Sequence, residues 1–292
     1  MKAVVADTLP WQEYVQPREG RLEIKVLLAG EAGGGVNFCL HLLRYGEGAD
    51  AFRTPRHRHT FGQVRVPLRG ATNYAKGKDI PQGWIGFFPE GAYYGPQHVD
   101  GGEILLLQFG PGYLSEEQKR RAQEEMAQRG TFGRGVYTDL DPATGRRRNR
   151  DAVQAVFEHV HGEPMRYPKP CHPEPVLIDP GGFDWLAGED GVARKRLGTF
   201  GPRDFGIESV RLDGPTRRFT TAADRAQLLF RTAGEIRGDD EIRTAGEIRT
   251  AGEIRDAGGP TSHTAVLSEP GERTTLRGAP AAEALIFTMP AP

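Results

Sequence analysis

Apolar residues along this chain recur mostly with a period of two, in short runs closed by Gly, Pro or Asp. Residues 21–30 mix alternation with an apolar end, and Val36–Tyr45 is a second apolar run stopped by Gly46. Side chains on a strand alternate between faces, so both segments read as strands. Gln63–Leu68, Ala71–Tyr74, Trp84–Phe88 and Glu103–Phe109 continue the pattern at the close spacing of a sandwich or barrel. The period then changes. Ser115-Glu-Glu-Gln118 has the residues of a capping box, and the polar run after it stops at Gly130. Val153, Val156, Phe157 and Val160 fall at helical spacing between Asp151, a candidate cap, and Gly162. Prolines at 164, 168, 170, 173 and 175 make a stiff extended connector. Strand signals return at Val176–Ile178, Phe205–Leu212, Ala226–Phe230, Thr264–Leu267 and Ala284–Thr288. The pattern predicts an all-β chain: a first barrel over 1–112, a linker with two helices over 113–175, and a second barrel over 176–292.

One segment of the second unit follows its own rule. Arg-Thr-Ala-Gly-Glu-Ile recurs at 231, 243 and 249, with Arg-Gly-Asp-Asp-Glu-Ile at 237, within a repeat that spans 231–258. Six residues turn a helix by about 240°, so no helical face accumulates, whereas a strand keeps Ile236, Ile242, Ile248 and Ile254 on one side. A hexapeptide β-helix needs more coils than this to bury a core. The repeat therefore reads as a lengthened surface hairpin or loop, which costs little closure entropy.

Composition narrows the function classes. The chain has 292 residues, 37% of them hydrophobic, and a formal net charge of −1, which fits a globular protein and argues against a general nucleic-acid or anionic-membrane surface. Arg146-Arg-Arg-Asn-Arg150 is one local basic cluster, read as a solvated loop. No apolar run is long enough to span a bilayer, and the first residues lack the core of a secretory signal, so a cytoplasmic location is expected. Cys39 and Cys171 are too few for a disulfide framework and are expected to be reduced and inert. His159 and His161, two apart on a helix, point in different directions and fail as a metal pair.

The chemistry sits at His57-Arg-His59. Two histidines separated by one residue project from the same face of a strand, and Gln63 shares their parity if the strand runs on through Gly62. Three donors would then converge on one ion. Two neutral imidazoles suit Fe, Mn, Ni, Cu or Zn, with Fe the first choice, while a Gln carbonyl in place of a carboxylate leaves the divalent charge uncompensated. Such a site calls for an anionic partner: an enolate, carboxylate or phenolate. Tyr94, Gln97 and His98 compete for the remaining ligand position. Gln97 is preferred as ligand, leaving Tyr94 and His98 as candidate catalytic groups. Arg56, Arg58 and Arg65 are expected outside the barrel, and at least one of Phe87 and Phe88 is expected to face its lumen.

These residues resemble the cupin superfamily. His57-Arg-His59, three residues, Gln63, six residues and Gly70 match its first motif with Gln in the acid's place. Gly83 followed by Pro89-Glu-Gly91 matches the second, with Tyr94 where a third histidine would stand. With the second β unit, the chain resembles a bicupin, a monomer or homodimer carrying the metal motif in its first barrel only. The second unit offers Arg217-Arg-Phe-Thr-Thr221 where the histidine pair would be, and its one histidine is His263. The resemblance implies a metal-dependent enzyme acting on a small enolisable or aromatic molecule, an oxygenase before an isomerase or cyclase. A binder without turnover is the alternative from another class.

Overall fold

A computed structural model of the protein describes residues 2–14, 18–33, 35–110, 114–188, 191–212, 219–220, 224–234, 236–238, 242–244, 247–249, 263–272, 275–278 and 281–290. The architecture is all-β and jelly-roll-like, with two α-helices among the described residues. The chain divides into two compact units. One comprises residues 11–24 and 42–177, the other residues 1–10, 25–41 and 178–292.

In the first of these units, strand Gly62–Arg69 pairs antiparallel with Ile85–Phe88 on one side and Glu103–Phe109 on the other. Phe52–Thr54 pairs with Gln97–Val99, and Thr72–Ala75 with Lys78–Ile80. Leu22, Ile24, Leu43, Tyr45, Phe52 and Leu106 belong to one buried cluster, and Tyr74, Ile80, Phe88 and Tyr94 form another. The motif glycines have a physical reason. Gly91 adopts a φ of +76°, and a Cβ there would run into the Pro168 carbonyl.

Helix α1, Glu116–Ala127, starts at the expected capping box, with Ser115 and Gln118 each bonding the other's backbone. Helix α2, Ala152–His161, is capped by the Asp151 carboxylate and ends at Gly162 in the left-handed conformation. Both pack on Tyr137 and Leu114. Arg147–Asp151 is not the expected loop but the edge of a three-stranded ribbon with Gly130–Gly133 and Val136–Leu140. Arg148 and Arg150 both pair with Asp139, at 2.8 and 2.9 Å, which turns the basic cluster into cross-strand ion pairs.

The other unit contains a nine-stranded sheet in the order Leu186–Ala187, Val192–Phe200, Phe205–Leu212, Ala282–Thr288, Gln227–Ala233, Thr264–Ser268, Lys2–Val5, Ile242–Thr244 and Glu247–Arg249. Lys2–Val5 pairs antiparallel with Thr264–Ser268, burying Ala3 among Val210, Leu229, Val266 and Ile286. Within the hexapeptide repeat the described strands are Ile236–Gly238, Ile242–Thr244 and Glu247–Arg249. The rest of 239–258, and with it the expectation of a surface loop, lies outside the described residues.

Candidate functional site

The strand that carries Gln63 begins only at Gly62, so His57 and His59 do not stand on a regular pleat. Long-range backbone bonds position them instead. His57 and Tyr94 exchange N–H···O bonds of 2.9 and 3.0 Å, and the Gly91 N–H donates to the His59 carbonyl at 2.8 Å. The two imidazoles end up with centroids 5.0 Å apart, nearly perpendicular at 79°. Tyr94 lies against both, at 4.4 Å from His57 and 5.9 Å from His59, and His59 stacks on Phe61 at 4.6 Å. The two imidazoles are brought together by cross-strand bridging and not by the expected alternation along one strand.

Both histidines are buried and neutral. Burial is the largest cause holding the His57 ring well below the usual histidine range, followed by the positive charge of Arg18; its bond to the Pro55 carbonyl works the other way. For His59 burial again comes first, then its neighbour His57 and the Arg18 and Arg65 charges. His57 donates its Nδ1–H to Pro55 O at 2.7 Å, which fixes the tautomer and leaves Nε2 with its lone pair.

Arg65 is inside, not outside. It shares the parity of Gln63 on one strand, is 7% exposed, and places its guanidinium over the rings of Phe88 and Tyr94 at 4.6 and 4.9 Å. Its Nη2 donates to Gln63 Oε1 at 3.0 Å and to the Tyr94 hydroxyl at 3.1 Å, and its Nε reaches the same Gln63 oxygen at 3.3 Å. Tyr94 also donates to Gln63 Oε1, at 3.4 Å. The Tyr94 phenol is pushed up, chiefly by burial, so it stays protonated. Sequence reading missed Arg65 by treating a lone charge between Val64 and Val66 as outward; the period-two rule applied to Gln63 and Arg65 together would have found it. It also missed Arg18, whose buried guanidinium pairs with the Asp151 carboxylate at 2.9 Å.

The remaining candidates separate. Gln97 is buried, but its Nε2 donates to the Asn73 carbonyl at 2.8 Å. His98, the next residue on the strand, is exposed and is not brought to the cluster. Phe88 touches Arg65 and Tyr94, so one of the two adjacent phenylalanines does line the site. Arg56 is exposed and lies over Tyr93, while Arg58 sits between Tyr93 and Tyr167. Residues 217–218 and 221 of the second unit lie outside the described residues. His41 belongs to that unit, with Cys39 Sγ 3.2 Å from its Nδ1.

As a metal cradle the donor set fits at the two imidazoles, which are neutral and oriented. Among the described residues no three His, Cys, Asp or Glu side chains form a metal-binding group. The amide oxygen of Gln63 is shared with Arg65 and Tyr94, so any further ligand has to come from a neutral oxygen or from a bound molecule.

No family model and no curated protein matches the chain. Solved structures do. A protein of Nostoc punctiforme provisionally assigned as a dioxygenase aligns with TM-score 0.55 at 11% identity, over 98% of this chain and 80% of its own. A provisionally named glyoxylate-induced protein of Pseudomonas aeruginosa gives 0.53 at 12%, over 94% and 83%. An oxalate decarboxylase variant of Bacillus subtilis gives 0.53 at 13%, over 100% and 77%. At such identities the likeness shows the fold alone, an all-β jelly roll as the strand pattern predicted. Among the described residues no helix is long and apolar enough to cross a membrane.

Proposed function

We propose that this chain is a bicupin metalloenzyme whose site, around His57 and His59, oxygenates a small enolisable or aromatic organic anion. The observation that carries the reading is the pair of buried, neutral imidazoles 5.0 Å apart beside a protonated phenol. His57 and His59 would hold a divalent transition ion, iron before Mn, Ni, Cu or Zn, which supplies Lewis acidity and oxygen activation when bound. Gln63 and Gln97 are the protein oxygens nearest in role, and a bound anion completes the set. Tyr94 keeps its proton at neutral pH and would turn its O–H from the long bond to Gln63 Oε1 to the substrate oxygen on which charge develops. Phe61 and Phe88 keep water from the rings they cover. His98, exposed, takes no part. The name carried by the Nostoc protein agrees with oxygenation, and those of the other two neighbours with small organic acids.

Metal analysis of the full chain, purified without a nickel column, tests this. A near-stoichiometric transition metal is expected, lost in a His57→Ala/His59→Ala double variant. Oxygen uptake should accompany loss of a substrate found among 2-oxo acids and dihydroxybenzenes. Substrate loss without oxygen uptake would turn the reading to an isomerase or cyclase. The commitment of the Gln63 oxygen to Arg65 and Tyr94 favours one second reading, a binding protein without turnover; failure to take up any metal on reconstitution would select it.

A further inference from the structure

Arg65 carries a buried charge that the site described above does not use. Among the described residues no carboxylate pairs with it. Its Nε and Nη2 bond only the neutral oxygens of Gln63 and Tyr94, and Nη1 is buried with no acceptor. A buried guanidinium costs several kcal/mol in lost hydration unless an anion or a full set of acceptors answers it. The nearby Arg18 is different, because Asp151 neutralises it. His59 Nδ1 and Thr60 Oγ1 are also buried without partners. Buried polar atoms of this kind call for a partner.

We propose that Arg65 anchors a small organic monocarboxylate in this site, and that it does so without a metal ion. The inference rests on the placement of the site in the preceding reading but not on its metal. One uncompensated guanidinium matches one negative charge; a dianion would bury a second charge with no partner. The free N–H groups of Nη1 suit a carboxylate oxygen, and the phenol of Tyr94 stands beside the same guanidinium. The aromatic faces of Phe88 and Tyr94 that flank Arg65 favour an organic acid over an inorganic oxyanion. Gln63 has a defined part. Were it the acid of the usual motif, it would neutralise Arg65 from within; as an amide it holds the guanidinium in place and leaves its charge to the ligand.

Titration calorimetry on the full chain, stripped of metal by a chelator, tests the proposal with benzoate and acetate as ligands, benzamide as the neutral twin of benzoate, and sulfate as the dianion. Saturable binding of at least one acid is expected, with benzamide and sulfate weaker. Arg65→Gln should weaken that binding about tenfold or more. Gln63→Glu, which keeps the fold by supplying an internal carboxylate, should weaken it likewise. No binding of either acid, equal binding by Arg65→Gln, or benzamide or sulfate binding as well as benzoate overturns the proposal. If stripped protein binds no acid but added Mn²⁺ or Fe²⁺ restores binding, the anchor is the ion: this inference fails while the metalloenzyme reading stands. Acid binding by a chain that never takes up metal supports this inference and removes the other.

Discussion

At the scale of single residues, the site is a contest between burial and charge. His57 and His59 stay neutral because burial outweighs the one local contact that favours protonation, the Pro55 carbonyl on His57. The consequence for stability has a definite sign. Unfolded, each ring takes up a proton as pH falls below about 6.5, the ordinary histidine value; folded, it does not, so the unfolded chain binds more protons there. Metal-free protein should therefore lose stability on acidification from pH 6.5 downward, by up to about 1.4 kcal/mol per pH unit for each ring. Denaturant titrations at pH 7, 6 and 5 measure this. A His57→Gln/His59→Gln variant should flatten the dependence, and an unchanged slope would show that other groups cause it. Tyr94→Phe removes a hydroxyl bonded to both Arg65 and Gln63, and should cost about 1–3 kcal/mol in the same assay.

At the scale of elements, local signals placed the strands and helices, and one residue links two of them. Asp151 caps α2 through the amides of Val153 and Gln154, and its carboxylate also neutralises Arg18, whose side chain is 5% exposed. Asp151→Ala should cost about 3–5 kcal/mol, combining a lost cap with a stranded buried cation. Asp151→Asn keeps a cap acceptor and loses only the charge, so it should recover part of the loss; equal destabilisation by both would show that the cap contributes nothing. Strand Val192–Phe200 was missed from sequence because Arg194, Lys195 and Arg196 interrupt the apolar alternation. Its register with Phe205–Leu212 and the burial of Val192, Ala193 and Leu197 come from tertiary pairing. The Arg146–Arg150 ribbon was missed for the same reason: charges that look solvated in one dimension are paired across strands.

At the scale of the whole molecule, the chain does not divide at a single point in sequence. Residues 1–10 and 25–41 group with 178–292, and Lys2–Val5 supplies a strand between Thr264–Ser268 and Ile242–Thr244. Deleting residues 1–5 should uncover the Thr264–Ser268 edge, remove Ala3 from its core, and cost about 2–4 kcal/mol with added self-association. Calorimetry and size-exclusion chromatography check both, and an unchanged melting temperature would refute the strand's contribution. The sequence alone determined the all-β class, most strand positions, both helix N-caps and the buried place of Gln63 on its strand. Those follow from interactions within a few residues: side-chain alternation, capping bonds and backbone freedom at glycine. Only the tertiary structure decided that His57 meets Tyr94, that Arg65 turns inward onto Gln63, that Asp151 reaches Arg18, and which strands share a sheet. Each of these joins residues through packing and hydrogen bonds whose partner is chosen by the folded surroundings, which no local pattern encodes.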